Sequence, residues 1–170
     1  MSNNHLTQEG ALSFNSRREI NEALGDVSMC DTLFDVDSGT TGTTLTNVSG
    51  MVTGELRPGT YRFYIHLDCL STANSGLKVG LKFGTASMLT SIAAVSRAFT
   101  ATGVGVARAT TATDAASIQA STAAIINNVI EGTLVVALPG TLQLQAAQNA
   151  SHADNTTIYT TSFMIFEKIA

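Results

Sequence analysis

Tryptophan is absent, proline and cysteine occur twice each, and only 13% of the residues are charged. Each scarcity removes a class of function. A net charge of −4 leaves no electrostatic footprint for nucleic acid or for an anionic membrane surface. No apolar run reaches the ~20 residues of a membrane-spanning helix. Met1-Ser2-Asn3-Asn4-His5 has no basic patch leading into an apolar block, so no secretory leader is expected. Cys30 and Cys69 are therefore expected as two reduced thiols of a protein made in a cytoplasm. His5, His66 and His152 stand far apart, with no His-x-His or Cys-x-x-Cys spacing to join them, so neither a metal nor a cofactor is expected. Gly103-Val104-Gly105-Val106 lacks the lysine and helix of a phosphate loop, and no serine sits in a nucleophile elbow. The chain does not read as an enzyme. Asp68, Glu131 and Glu167, the carboxylates any catalytic reading would need, read as strand-edge charges. Asn149-Ala150-Ser151 and Asn155-Thr156-Thr157 match the glycosylation tripeptide, which has no meaning without secretion.

What is present is β-strand pattern. After Gly59, the residues Tyr61, Phe63, Ile65, Leu67 and Cys69 fall on one face, and Arg62, Tyr64, His66 and Asp68 on the other. A period of two, rich in aromatic and branched side chains, marks a strand with one buried face. Both prolines open such a strand in a Pro-Gly-Thr turn, at Pro58 and again at Pro139, where Leu142, Leu144 and Ala146 point inward and Gln143 and Gln145 outward. The two strands should start at comparable corners of one sandwich. A chain of 170 residues with a mean hydropathy of +0.20 is most simply one domain with a real core, and its charge-poor surface suits contact with copies of itself.

Residues 1–25 differ from the rest and form an N-terminal arm, followed by a domain over residues 26–170. Ser16-Arg17-Arg18-Glu19 reads as a capping box and Gly25 as the end of a short helix, too short to persist without a docking surface. Ser28–Phe34 and Thr43–Val48 are candidate strands, with a plain acidic turn at Asp35–Gly39 between them, since no downstream glutamate completes a calcium loop. Met51–Leu56 leads into the central strand. Leu77–Gly84 reads as its partner across a hairpin, with Lys78 and Lys82 outward. Residues 93–124, rich in Ala, Thr, Ser and Gly, read as a long surface excursion with thin strands at Thr100–Arg108 and a loop at Thr113–Ile118. Thr133–Leu138 and Phe163–Phe166 are apolar on both faces, as if covered by core on one side and by a second subunit on the other. The fold expected is all-β: an antiparallel β-sandwich of about eight strands, as in a jelly roll.

The phrases Pro58-Gly59-Thr60-Tyr61-Arg62-Phe63, Gly140-Thr141-Leu142-Gln143-Leu144-Gln145-Ala146-Ala147-Gln148-Asn149 and Ser162-Phe163-Met164-Ile165-Phe166-Glu167-Lys168-Ile169, in that order, resemble the trimeric jelly rolls of the C1q and tumour-necrosis-factor type. The resemblance is closest to versions in tailed-phage virions and covers residues 43–169, about three quarters of the chain. It implies a three-fold axis lined by one face of the sandwich. The function expected is a homotrimeric capsid decoration (cement) protein on the outer head surface, with the major capsid protein as partner; the alternative is a receptor- or glycan-binding tip of a head or tail fibre. Arg17, Arg18, Ile20 and Leu24 are the candidate capsid contacts in the arm, and Val135, Ala137, Met164 and Phe166 the candidate trimer contacts.

Overall fold

The computed structural model describes residues 27–31, 38–85, 87–100, 103–109, 116–121 and 124–170. Among them there is no helix. Twelve strands form two antiparallel sheets: β1 (Val27–Asp31), β2 (Ser38–Thr40), β3 (Thr46–Val52), β4 (Gly59–Leu70), β5 (Leu77–Phe83), β6 (Leu89–Thr100), β7 (Gly103–Ala109), β8 (Ala116–Ser121), β9 (Asn127–Val136), β10 (Leu142–Ala147), β11 (Thr156–Ile158) and β12 (Phe163–Lys168). The large sheet runs β1-β12-β4-β9-β6-β7, with β11 beside the end of β4 and β2 beyond it; the small sheet runs β3-β10-β5-β8. The helix and contacts expected in the arm, including Arg17, Arg18, Ile20 and Leu24, lie outside the described residues.

β4 is the central strand. Its inward residues Tyr61, Phe63, Ile65, Leu67 and Cys69 are all buried. Phe63 stacks on Phe166 of β12 with ring centres 5.7 Å apart. The strand starts where Gly59, at φ +151°, brings the backbone against the end of β12; a side chain there would meet Lys168 Cε at 2.4 Å and the Ala170 carbonyl at 2.5 Å. The Tyr61 hydroxyl closes the turn, accepting from the Arg57 N–H at 3.1 Å and donating to the Arg57 carbonyl at 2.9 Å. The second Pro-Gly-Thr turn lies at the same end of the sandwich. Leu56 and Gly140 exchange backbone hydrogen bonds of 2.8 and 3.1 Å, clasping the start of β4 in one sheet to the start of β10 in the other.

Several expectations are corrected. β5 is a strand with the expected inward face, but it is not the hairpin partner of β4, for it pairs with β10 and β8. The Ser71–Gly76 turn carries the chain across the sandwich, held by hydrogen bonds in both directions between Ser71 and Ile125, so that the apolar faces of β4 and β5 oppose each other through the core. Thr43–Val48 and Met51–Leu56 are not separate segments. One strand, β3, spans Thr46–Val52 and bulges against β10, where the Gln143 amide donates to the carbonyls of Val48 and Met51. Ser38 and Gly39, read as turn, belong to β2. Most of the small-residue tract is sheet rather than surface excursion: it supplies the second half of β6, then β7 and β8, with Ala94, Ser96 and Ala98 fully buried. Small side chains suffice because this half of β6, residues 94–99, is paired with β9 on one side and β7 on the other, so its backbone is satisfied on both edges. β9 ends at Val136, and Ala137 and Leu138 are exposed in the turn that follows. Among the described residues the count of twelve exceeds the expected eight through the short pair β2–β11 and the hairpin β6–β7.

Candidate functional site

The outward face of the large sheet is where the remaining side chains gather. The register places Phe163, His66, Val129 and Arg97 in one row across β12, β4, β9 and β6. Ile165, Tyr64, Glu131 and Val95 form the next row, and Glu167, Arg62, Thr133 and Ala93 the third. The alternation that buries one half of each strand delivers the other half here. Phe163 lies against both Tyr64 and His66, with ring centres 5.9 and 5.3 Å apart. The Asn127 amide reaches His66 Nε2 at 3.3 Å, and the Thr161 hydroxyl donates to Asp68 at 2.5 Å.

Two arginines and two glutamates on this face are matched within it. Arg62 pairs with Glu167 at 2.5 Å, and Arg97 pairs with Glu131. An open depression of about 680 Å³ lies over Arg62, Tyr64, Glu131, Thr133, Ile165 and Glu167, floored by Phe63 and Gly132. Its two carboxylates are both held by guanidinium groups, and no histidine, cysteine or serine lines it. The face thus offers apolar area and neutralised charge rather than a poised acid or nucleophile. Elsewhere, burial together with the neighbouring Asp68 carboxylate pushes the Cys69 thiol up to about 12, so it is protonated and unreactive. Cys69 is free, and the register separates Cys30 from it by two strands and four residues along β4, roughly 13 Å of strand, too far for a disulfide. Among the described residues no cluster of three or more His, Cys, Asp or Glu residues is placed to hold a metal ion, and no helix is long and apolar enough to cross a membrane.

The expected contact residues divide. Val135 is half-buried on the outward face, and Ala137 is exposed just past the end of β9. Met164 and Phe166 are corrected: both are fully buried in the chain's own core and have no surface to offer a second subunit. The outward residues of β12 are instead Phe163, Ile165 and Glu167. Extending the parity of β4 to its neighbour would have identified them, but a run that is apolar at every position hides its parity. Val129 and Val95 join them on this face, beside Tyr64, which the alternation of β4 already places there. Asp68, Glu131 and Glu167, read as edge charges, all sit on this one face. The chain matches no protein-family model and no curated protein at significant similarity.

Proposed function

We propose that the protein is a virion structural protein, a homotrimeric jelly roll that decorates the outer surface of a phage head and stabilises capsomer junctions. The observation that carries this reading is the outer face of the large sheet. Tyr64, Val95, Val129, Val135, Phe163 and Ile165 give it apolar rings and branched chains, and Arg62, Glu167, Arg97 and Glu131 are already paired within it, leaving Asp68, held by the Thr161 hydroxyl, at its end. Strand order supports the jelly roll. With β2, β11 and the β6–β7 hairpin set aside, the remaining eight strands run 1-8-3-6 in one sheet and 2-7-4-5 in the other, two interleaved Greek keys. In this reading the trimer contacts are Val135 with the outward row of β12 rather than Met164 and Phe166. Arg17, Arg18, Ile20 and Leu24 of the arm attach the trimer to the major capsid protein.

A cement protein performs no chemistry. At roughly 25 cal/mol per Å² of apolar surface removed from water, a modest footprint repeated three times per trimer resists expansion of the shell. The test has two arms. Native mass spectrometry at micromolar concentration should show an assembly built from threes, and a stable monomer would end the reading. Sedimentation with expanded heads should show saturable binding by the full chain and none by a chain lacking residues 1–25; binding to host cells instead of heads would favour a fibre tip.

A further inference from the structure

We infer that β7 is a self-pairing edge, through which two copies of this chain join their large sheets into one. Among the described residues five strands lie at a sheet edge, and four are blunted. β1 has only five residues and β2 three, β3 is broken by a bulge against β10, and β8 is broken by a register shift against β5. β7 has seven residues in unbroken register with β6, and among the described residues no strand is hydrogen-bonded in a ladder along its other edge, although β8 of the small sheet comes near it. In an antiparallel pair every second residue turns its N–H and C=O away from the partner, so β7 carries a row of donors and acceptors directed outward. The safeguards are few: Gly103-Val104-Gly105-Val106-Ala107-Arg108-Ala109 contains neither proline nor lysine, and Arg108 is its one charge. Val106 is 62% exposed, the highest value for a large apolar side chain among the described residues, and Val104 is 53% exposed.

The chemistry of such an edge defines its partner as another strand. A second copy fits because the segment is complementary to itself. An antiparallel two-fold centred on Val106 sets Val106 opposite Val106, Val104 opposite Arg108, and Gly105 opposite Ala107, so the one charged residue never meets its own copy. Val104 and Val106 also continue the rows of Phe99 and Arg97, so two joined sheets share one outer face. This contact is made through the backbone edge of β7, whereas the trimer reading uses the side chains of the outer face over β12, β4 and β9.

The test is a charge swap at Val106, whose exposure lets either variant fold, with circular dichroism melting as the control. Light scattering on the wild-type chain should give twice the mass of the face-assembled unit. V106K alone and V106E alone should each halve that mass, because like charges then meet on the two-fold axis. An equimolar mixture of the two should restore it. Hydrogen exchange at Val104 and Val106 should also slow as wild-type concentration rises. An unchanged mass in V106K, or a mixture that stays at half mass, overturns the inference. Ile165→Lys separates the two contacts: it should lower the mass through the face while leaving the Val106 swap effective. If V106K is without effect and Ile165→Lys still dissociates the protein, the face reading stands and the edge reading falls.

Discussion

β4 and β6 are both twelve-residue strands of the large sheet, and both pair with β9 along their length. Their inward rows are nonetheless unlike. β4 sends Tyr61, Phe63, Ile65, Leu67 and Cys69 into the core, whereas β6 sends Leu89, Ile92, Ala94, Ser96 and Ala98. The sandwich is therefore filled asymmetrically: large rings over β12 and β4, small side chains and a hydroxyl towards β7. The two strands are held by different terms. β4 is held by apolar burial on top of its ladder; the second half of β6 is held mainly by the ladder itself, with backbone hydrogen bonds to strands on both sides.

That contrast can be broken most directly on the heavy side. Phe63→Ala removes a fully buried ring stacked on Phe166, and should cost about 3–5 kcal/mol by urea denaturation. A cost below about 1 kcal/mol would mean that the rings do not organise the core.

The seam between the two sides is Gly132 of β9, opposite Phe63 on one strand and Ala94 on the other. A Cβ there would lie 2.0 Å from the Ala93 carbonyl oxygen and 2.9 Å from Ala94 Cα, both backbone atoms that cannot rotate away. Gly132→Ala should therefore cost about 1–3 kcal/mol and shift the amide resonances of β6 more than those of β4. Equal shifts on both strands would show that β6 is as firmly fixed as β4.

On the light side the sensitive element is polar. The Ser96 hydroxyl donates to Asn128 Oδ1 at 2.8 Å, both residues are wholly buried, and Asn128 Nδ2 has no partner among the described residues. Ser96→Ala should cost about 1–2 kcal/mol, because the Asn128 oxygen is then left unpaired as well. Adding Asn128→Val to that variant should recover part of the loss, since removing both polar partners costs less than orphaning one. No recovery would show that Asn128 has a further partner.

The same asymmetry decided what could be read from the sequence. β4 was legible because its large residues alternate with polar ones, so the period of two stood out. The β10 strand and its turn were legible for the same reason. The second half of β6 was not, because Ala, Ser and Thr occupy both faces and carry no amphipathic signal; its strand character comes from β9 and β7, which lie far away in sequence. The partner of β5 was missed because the Ser71–Gly76 turn is polar and short whether it makes a hairpin or an arch between sheets. The outer face was half legible. Arg62, Tyr64, His66 and Asp68 were assigned to it from β4, but Phe163-Met164-Ile165-Phe166 is apolar throughout, and only pairing with β4 tells which two of the four point out.

The smallest expected effect bears on whether that outer face is covered. Arg97 and Glu131 form an ion pair across β6 and β9, with side chains 42% and 43% exposed in the single chain. Exposed pairs contribute little, because water already solvates both ions and holding two long side chains together costs entropy. In a dissociated background such as Ile165→Lys, a double-mutant cycle with Arg97→Ala and Glu131→Ala should give a coupling of about 0.5 kcal/mol that fades by roughly 1 M salt, where the screening length is about 3 Å. If copies cover the face, salt no longer reaches the pair, and removing one partner leaves a buried charge alone. In the assembled wild-type background the coupling should then be larger and insensitive to salt. The same small, salt-sensitive value in both backgrounds would mean that the face stays wet, and that whatever joins the copies lies elsewhere on the sandwich.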